Sequence, residues 1–182
     1  LDKDLGSFLT YLDNTVGKGN YTVFLTADHG AAHNPNFLND HGIPAGVWQT
    51  SDLLKNLNAY LADKYQEKNL VLSLMNYQLN LNNAVIADKK ISEYALKQDC
   101  IAGLQKQDGV AYAVDMQSAQ TASIPEALRL RIVNGYNAER SGAIQIILKP
   151  GYFSEHGPTG TTHGTWNPYD THIPLVFMGW GV

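Results

Sequence analysis

A chain of 182 residues with 13 basic and 17 acidic side chains, formal charge −4, is long enough for one domain with a real core, since about 150 residues already hide roughly two-thirds of the unfolded surface. No run of lysine or arginine marks a nucleic-acid or anionic-membrane surface, and apolar runs such as residues 144–148 and 173–178 fall far short of the roughly twenty residues of a spanning helix. The single cysteine, Cys100, excludes an internal disulfide; with no His or acid patterned around it, it reads as a core residue.

Leu5, Phe8, Leu9, Leu12 and Val16 recur at three and four, which predicts an amphipathic helix closed by Gly17 and Gly19. Residues 21–25, β-branched and aromatic, predict a short strand too apolar to lie on a surface. That strand runs into Thr26-Ala27-Asp28-His29-Gly30. In an α/β pattern the carboxyl end of a buried strand is where the ligand crevice opens, and a carboxylate beside an imidazole suits a divalent ion of the zinc type. Gly30 permits a sharp turn and a close approach. A plainer reading stands beside this one, with Asp28 as a cap of the next segment and His29 as a polar loop residue. In the loop that follows, Pro35 and Gly42 mark surface turns. Of its histidines, His33 is a candidate for a hydrogen bond behind a metal ligand, and His41 a weaker one.

Ser51 predicts the cap of a helix that buries Leu53, Leu54, Leu57, Tyr60 and Leu61. Residues 70–75 and 82–87 read as two short strands, with a hairpin around residues 76–80. Ser92 caps a helix to Gln107, stopped by Asp108-Gly109. A strand over residues 110–114, a helix over 124–133 and a strand over 143–148 follow. This alternation predicts a subsidiary α+β lobe, drawn at residues 61–142, inserted between core segments 1–60 and 143–182.

Residues 150–166 are rich in glycine, threonine and proline, long enough for a functional loop. The loop holds His156, read as a solvent-exposed histidine, and Gly160-Thr161-Thr162-His163-Gly164-Thr165, a second His among small residues ahead of a second apolar strand at 173–178. Asp170 and His172 flank that strand, as hydrogen-bonding partners beside a site. Tyr152, Trp166 and Tyr169 are wall or core aromatics. Two such His-bearing stretches, each set against a strand, predict one site built from Asp28, His29 and His163.

Taken with Ile43-Pro44-Ala45-Gly46 and Tyr169-Asp170-Thr171-His172-Ile173-Pro174-Leu175, these stretches resemble the alkaline phosphatase superfamily, in particular its type I phosphodiesterase/nucleotide pyrophosphatase-like members. The likeness is nearest to the PafA-like branch of bacterial phosphatases and phosphodiesterases with a threonine nucleophile. The resemblance implies an α/β fold, part of an alkaline-phosphatase-like sandwich with a mixed sheet flanked by helices and the inserted lobe. It implies two zinc ions bridged by a phosphate ester, with Asp28 and His29 on the zinc next to the nucleophile and His163 on the other. His172, Asp170 and His33 are then the supporting candidates.

The family's remaining ligands, an Asp of the first strand, the nucleophilic Thr and an Asp-x-x-x-His pair, have no match upstream of Asp28. The chain therefore reads as the later portion of a longer, periplasmic or secreted hydrolase. By itself it is expected to be inactive, to hold no ion or one weakly bound ion, to bind neither nucleic acid nor membrane, and to self-associate through uncovered sheet. A metal-dependent phosphomutase, a sulfatase of the same superfamily and a non-catalytic folded piece are the rival readings.

Overall fold

The computed structural model describes residues 1–154 and 159–182; His156 lies outside the described residues. The chain begins with helix α1 (Asp2–Leu12), which loosens into a π-helical turn (Asp13–Gly17) and stops where Gly17 turns left-handed. Strand β1 (Thr22–Thr26) follows, then α2 (Pro35–Asp40), β2 (Gly46–Trp48) and the long helix α3 (Thr50–Tyr65). A hairpin of β3 (Val71–Met75) and β4 (Gln78–Leu81) leads to α4 (Asn83–Asp88) and α5 (Glu93–Leu104). After β5 (Val110–Asp115) come α6 (Glu126–Gly135), β6 (Ile144–Leu148), β7 (Tyr152–Ser154), the one-turn helix α7 (Pro168–Thr171) and β8 (Leu175–Gly179).

Two local expectations are corrected. Residues 82–87 are not a strand: the Asn82 side chain accepts the Val85 N–H at 3.3 Å and its amide donates to Asn69 O at 3.0 Å. A capping side chain there decides for helix over a short apolar run that fits either state. Helix α3 begins at Thr50 rather than after Ser51, with Gln49 at the cap position and no side-chain cap bond.

The strands fall into three small sheets: an antiparallel ribbon β1-β8, a parallel pair β2-β7, and an antiparallel four-stranded sheet in the order β3-β4-β6-β5. Every residue of the central strand β6 is buried, as a strand covered on both faces must be. On one face, α3 and α5 bring Leu53, Leu57, Leu61, Leu96, Cys100 and Leu104 against Leu79, Ile144 and Ile146. On the other, Ile132 of α6 and Met116 cover Val114 and Ile147. The first cluster also takes in Trp48 of β2, and Tyr152 of β7 packs against it.

The ribbon is built differently. Strand β1 was expected to be buried, yet Phe24 is 67% exposed and Leu25 43%. Its partner β8 is exposed throughout, and α1 buries no residue. The run's composition is that of a core strand, but burial needs a covering layer, and two strands alone have none.

Candidate active site

Strand β1 ends at Thr26, and the chain leaves it through Asp28 and His29. The Asp28 carboxylate accepts the His29 N–H at 3.0 Å. It caps no helix; Asn34 caps α2 instead, accepting the Asn36 N–H at 2.9 Å. His29 Nδ1 lies 2.6 Å from Gly30 O, a contact that requires the proton on Nδ1. In the neutral ring that tautomer places the lone pair on Nε2, 3.5 Å from Asp28 Oδ2. A backbone carbonyl fixing one ring nitrogen so that the other can ligate is the usual arrangement for a metal-binding histidine. The carboxylate is 88% exposed.

Four bonds zip this segment to the loop carrying the second His. Gly30 N–H donates to Asp170 O at 2.9 Å and Ala32 N–H to Thr162 O at 3.1 Å. The Thr161 hydroxyl donates to Ala32 O, and the Asn34 amide to Gly160 O at 2.7 Å. The result is that the His29 and His163 rings stack, centroids 3.5 Å apart and planes within 11°. Gly30 is required here for space rather than for a turn. A Cβ on it would sit 1.9 Å from Tyr169 O, so no other residue lets α7 come this close.

Asp170 is 4% exposed and joins the two halves. Its backbone oxygen holds Gly30, while Oδ2 accepts both the N–H and the hydroxyl of Thr165, at 2.7 and 2.6 Å. The turn directly after His163 is thus tied to the turn directly after His29. Among the described residues no group bonds Asp170 Oδ1. Thr165 and Asn34 were not singled out in the sequence; a threonine five positions before an aspartate, and an asparagine before a proline, are the local signals that point to such ties.

The other histidines lie as follows. His172 is exposed at the end of α7, its N–H bonded to Pro168 O at 2.8 Å. His33 and His41 flank Phe37, with ring centroids 5.4 and 4.2 Å from it, and His41 Nδ1 lies 2.7 Å from Phe37 O.

Asp28, His29 and His163 are therefore neighbours, with oxygen and nitrogen donors of the kind zinc takes. Among the described residues no three His, Cys, Asp or Glu groups gather to hold one ion. Stacked rings explain why: their lone pairs lie in parallel planes and do not meet at a point.

The mixed α/β scaffold belongs to the alkaline-phosphatase-like class, as superposition shows. Over its whole length it superposes on the crystal structure of wild-type alkaline phosphatase PafA with a TM-score of 0.93 at 46% identity, covering 34% of that chain. A PafA mutant gives 0.91 at 45% identity, again over 34% of its chain. The model of the type I phosphodiesterase / nucleotide pyrophosphatase family matches residues 1–172, and the chain belongs to that family. Among curated relatives it is 46% identical over 182 residues to alkaline phosphatase PafA of Elizabethkingia meningoseptica. It is 53% identical over 183 residues to a Myroides odoratus protein named calcium-transporting ATPase, and 44% over 185 residues to alkaline phosphatase PhoV of Synechococcus elongatus. All of this chain is covered in each case, but only 33%, 33% and 32% of the relative. The chain spans about a third of the length of the relatives it matches.

Proposed function

We propose that this chain is part of a zinc-dependent phosphate-ester hydrolase and contributes one side of its metal site. The observation that carries this reading is the stacked pair His29 and His163, brought together from opposite ends of the sequence with Asp28 alongside. Asp28 and His29 would hold the zinc beside the nucleophile, and His163 the zinc beside the leaving oxygen. Bound zinc would activate the nucleophile and stabilise charge on the phosphate. The chain's own work is positional: Gly30 lets α7 close on the first loop, and Asp170 with Thr165 holds the His163 loop in register with it. His172 and His33 remain hydrogen-bonding candidates around that frame.

The nucleophilic threonine and the remaining ligands belong, on this reading, to the rest of an intact protein. Each zinc would have at most two ligands from this chain, short of the three that catalytic zinc sites usually have. The isolated chain is then inactive and holds zinc weakly or not at all. Residues 61–142, extended by α3 and β6, form a lobe inserted into the catalytic core. The parent would act on small phosphate esters, with monoesters matching the activity that two of the relatives' names carry. The same reading places it in the periplasm or outside the cell; among the described residues no helix is long and apolar enough to cross a membrane. The exposed ribbon, with Phe177 53% and Trp180 72% accessible, favours self-association of the isolated chain.

The test is a side-by-side assay of the intact protein and of this chain on an aryl phosphate, a bis-aryl phosphate and an aryl sulfate with added zinc. Phosphate-ester turnover by the intact protein, lost on chelation and restored by zinc, is expected, with sulfate and phosphomutase activity negligible. Turnover by the isolated chain, or a sulfatase as the dominant activity, would overturn the reading.

A further inference from the structure

His163 opens onto a cleft of about 390 Å³ whose opposite wall is made by the packed lobe. Leu74, Asn76, Tyr77 and Gln78 of the β3-β4 hairpin face Gly164 and Trp166 of the His loop across it. The volume suits a small organic group, near the low end of ligand sites. The hairpin's tip is held in an unusual form: Asn76 and Tyr77 are both left-handed, at φ 51° and 59°. A two-residue turn of this kind normally places glycine second, because a side chain there is strained.

The surroundings fix that strain in place. The Tyr77 ring is buried, its centroid 6.2 Å from that of Trp48, and its hydroxyl accepts the Ser154 N–H at 3.0 Å. Gln145, 1% exposed, donates to Tyr77 O at 3.2 Å and accepts from the Gln78 amide at 3.2 Å. Gln78 in turn accepts the Gly142 N–H at 2.8 Å. The amides of Gln78 and Gln145 are thereby committed to the wall, whereas Asn76 is exposed at its rim. Strained backbone held rigid beside a candidate site is the kind of feature that shapes a binding surface.

We infer that this cleft receives the alcohol portion of the phosphate ester and that the lobe, through Asn76 and Trp166, sets its specificity for flat, ring-bearing alcohols. The inference rests on the proposed function, in which His163 serves the leaving-group side. Trp166, half-buried against the cluster under α6, lines the cleft with an aromatic side chain that suits a ring, and the exposed Asn76 amide supplies a donor and an acceptor for the ring's edge.

The experiment compares the intact protein with its Asn76→Gly and Asn76→Trp variants on methyl phosphate and 4-nitrophenyl phosphate. Glycine suits the left-handed backbone, so Asn76→Gly keeps the turn while removing the amide; Asn76→Trp narrows the cleft. Expected is a fall in kcat/KM of about fivefold or more for the aryl ester in Asn76→Trp, a smaller fall in Asn76→Gly, and less than twofold change for methyl phosphate. Inhibition by inorganic phosphate should stay within twofold. Equal losses on both esters, or no loss on either, would overturn the inference. A separate readout is the shift of the Trp166 indole resonance on adding 4-nitrophenol, expected in the wild type and lost in Asn76→Trp. Absence of that shift counts against the cleft alone, whereas an intact protein inert to every phosphate ester counts against the proposed function.

Discussion

The strand β6 and the ribbon β1-β8 are written in the same apolar language and have opposite fates. Ile144, Ile146, Ile147 and Leu148 are at most 5% exposed, while Phe24, Leu175, Val176 and Phe177 are 43% or more exposed. The difference lies in the neighbours: β6 sits between two strands with helices on both faces, and among the described residues β1 and β8 pair only with each other. Apolar composition thus specifies a strand, but the layers around it specify burial. Within this one chain the buried clusters lie around the four-stranded sheet, and the candidate metal ligands stand beside the exposed ribbon.

The largest effect that sharpens this contrast is expected from core truncation. Ile146→Ala should cost about 2–5 kcal/mol in urea-monitored unfolding, whereas Phe24→Ala in the ribbon should stay within about 0.5 kcal/mol, the range of surface substitutions. The chain is kept monomeric by dilution, because self-association would itself cover the ribbon; comparable losses at both sites would then contradict the contrast. Next comes Gly30→Ala, which forces a methyl into Tyr169 O. Overpacking of this kind costs about 1–3 kcal/mol, and amide resonances of the 160–170 loop should shift while those of β6 stay fixed.

A smaller effect should come from the brace between α3 and α5, where Lys64 Nζ and the Tyr65 hydroxyl each lie 2.5 Å from the Asp99 carboxylate. Burial pushes the Asp99 carboxyl upward, but the Lys64 and Tyr65 hydrogen bonds outweigh it and hold it below its usual value. A depressed folded pKa means stability that is present above the unfolded carboxylate value of about 3.9 and lost as pH falls through the folded one. Asp99→Asn should flatten that acid limb of the lobe's unfolding curve; an unchanged limb would refute the assignment. The smallest effect concerns Cys100, whose thiol burial pushes up to about 12. It should resist a maleimide at pH 8 until the lobe unfolds, and rapid labelling of the native chain would contradict the packing described.

Much of this was legible in residue order. The helices α1 and α3 follow from apolar spacing and α5 from its Ser92 cap, and Asp28, His29 and His163 stand out because small residues and glycines isolate them beside strands. What escaped was set by contacts that residue order does not display, some distant in sequence and some within a few residues. The exposure of β1 depends on how many strands its sheet has, and the bond from Thr165 to Asp170 on how a loop folds back. The helix at Asn83–Asp88 escaped because Ala84-Val85-Ile86 fits strand and helix equally until the Asn82 cap is seen. Of the two reasons read for Gly30, a sharp turn and a close approach, the second is the one the structure uses: its backbone is not left-handed, and the close approach of Tyr169 demands it.

The central claim is that His29 and His163 meet in order to serve two adjacent ions. Metal occupancy in the intact protein, measured at each position by anomalous diffraction for the wild type, His29→Ala and His163→Ala, tests it most directly. The account predicts two zinc ions in the wild type, loss of the ion beside Asp28 in His29→Ala, and loss of the other in His163→Ala. Full occupancy of both positions in either variant would contradict it.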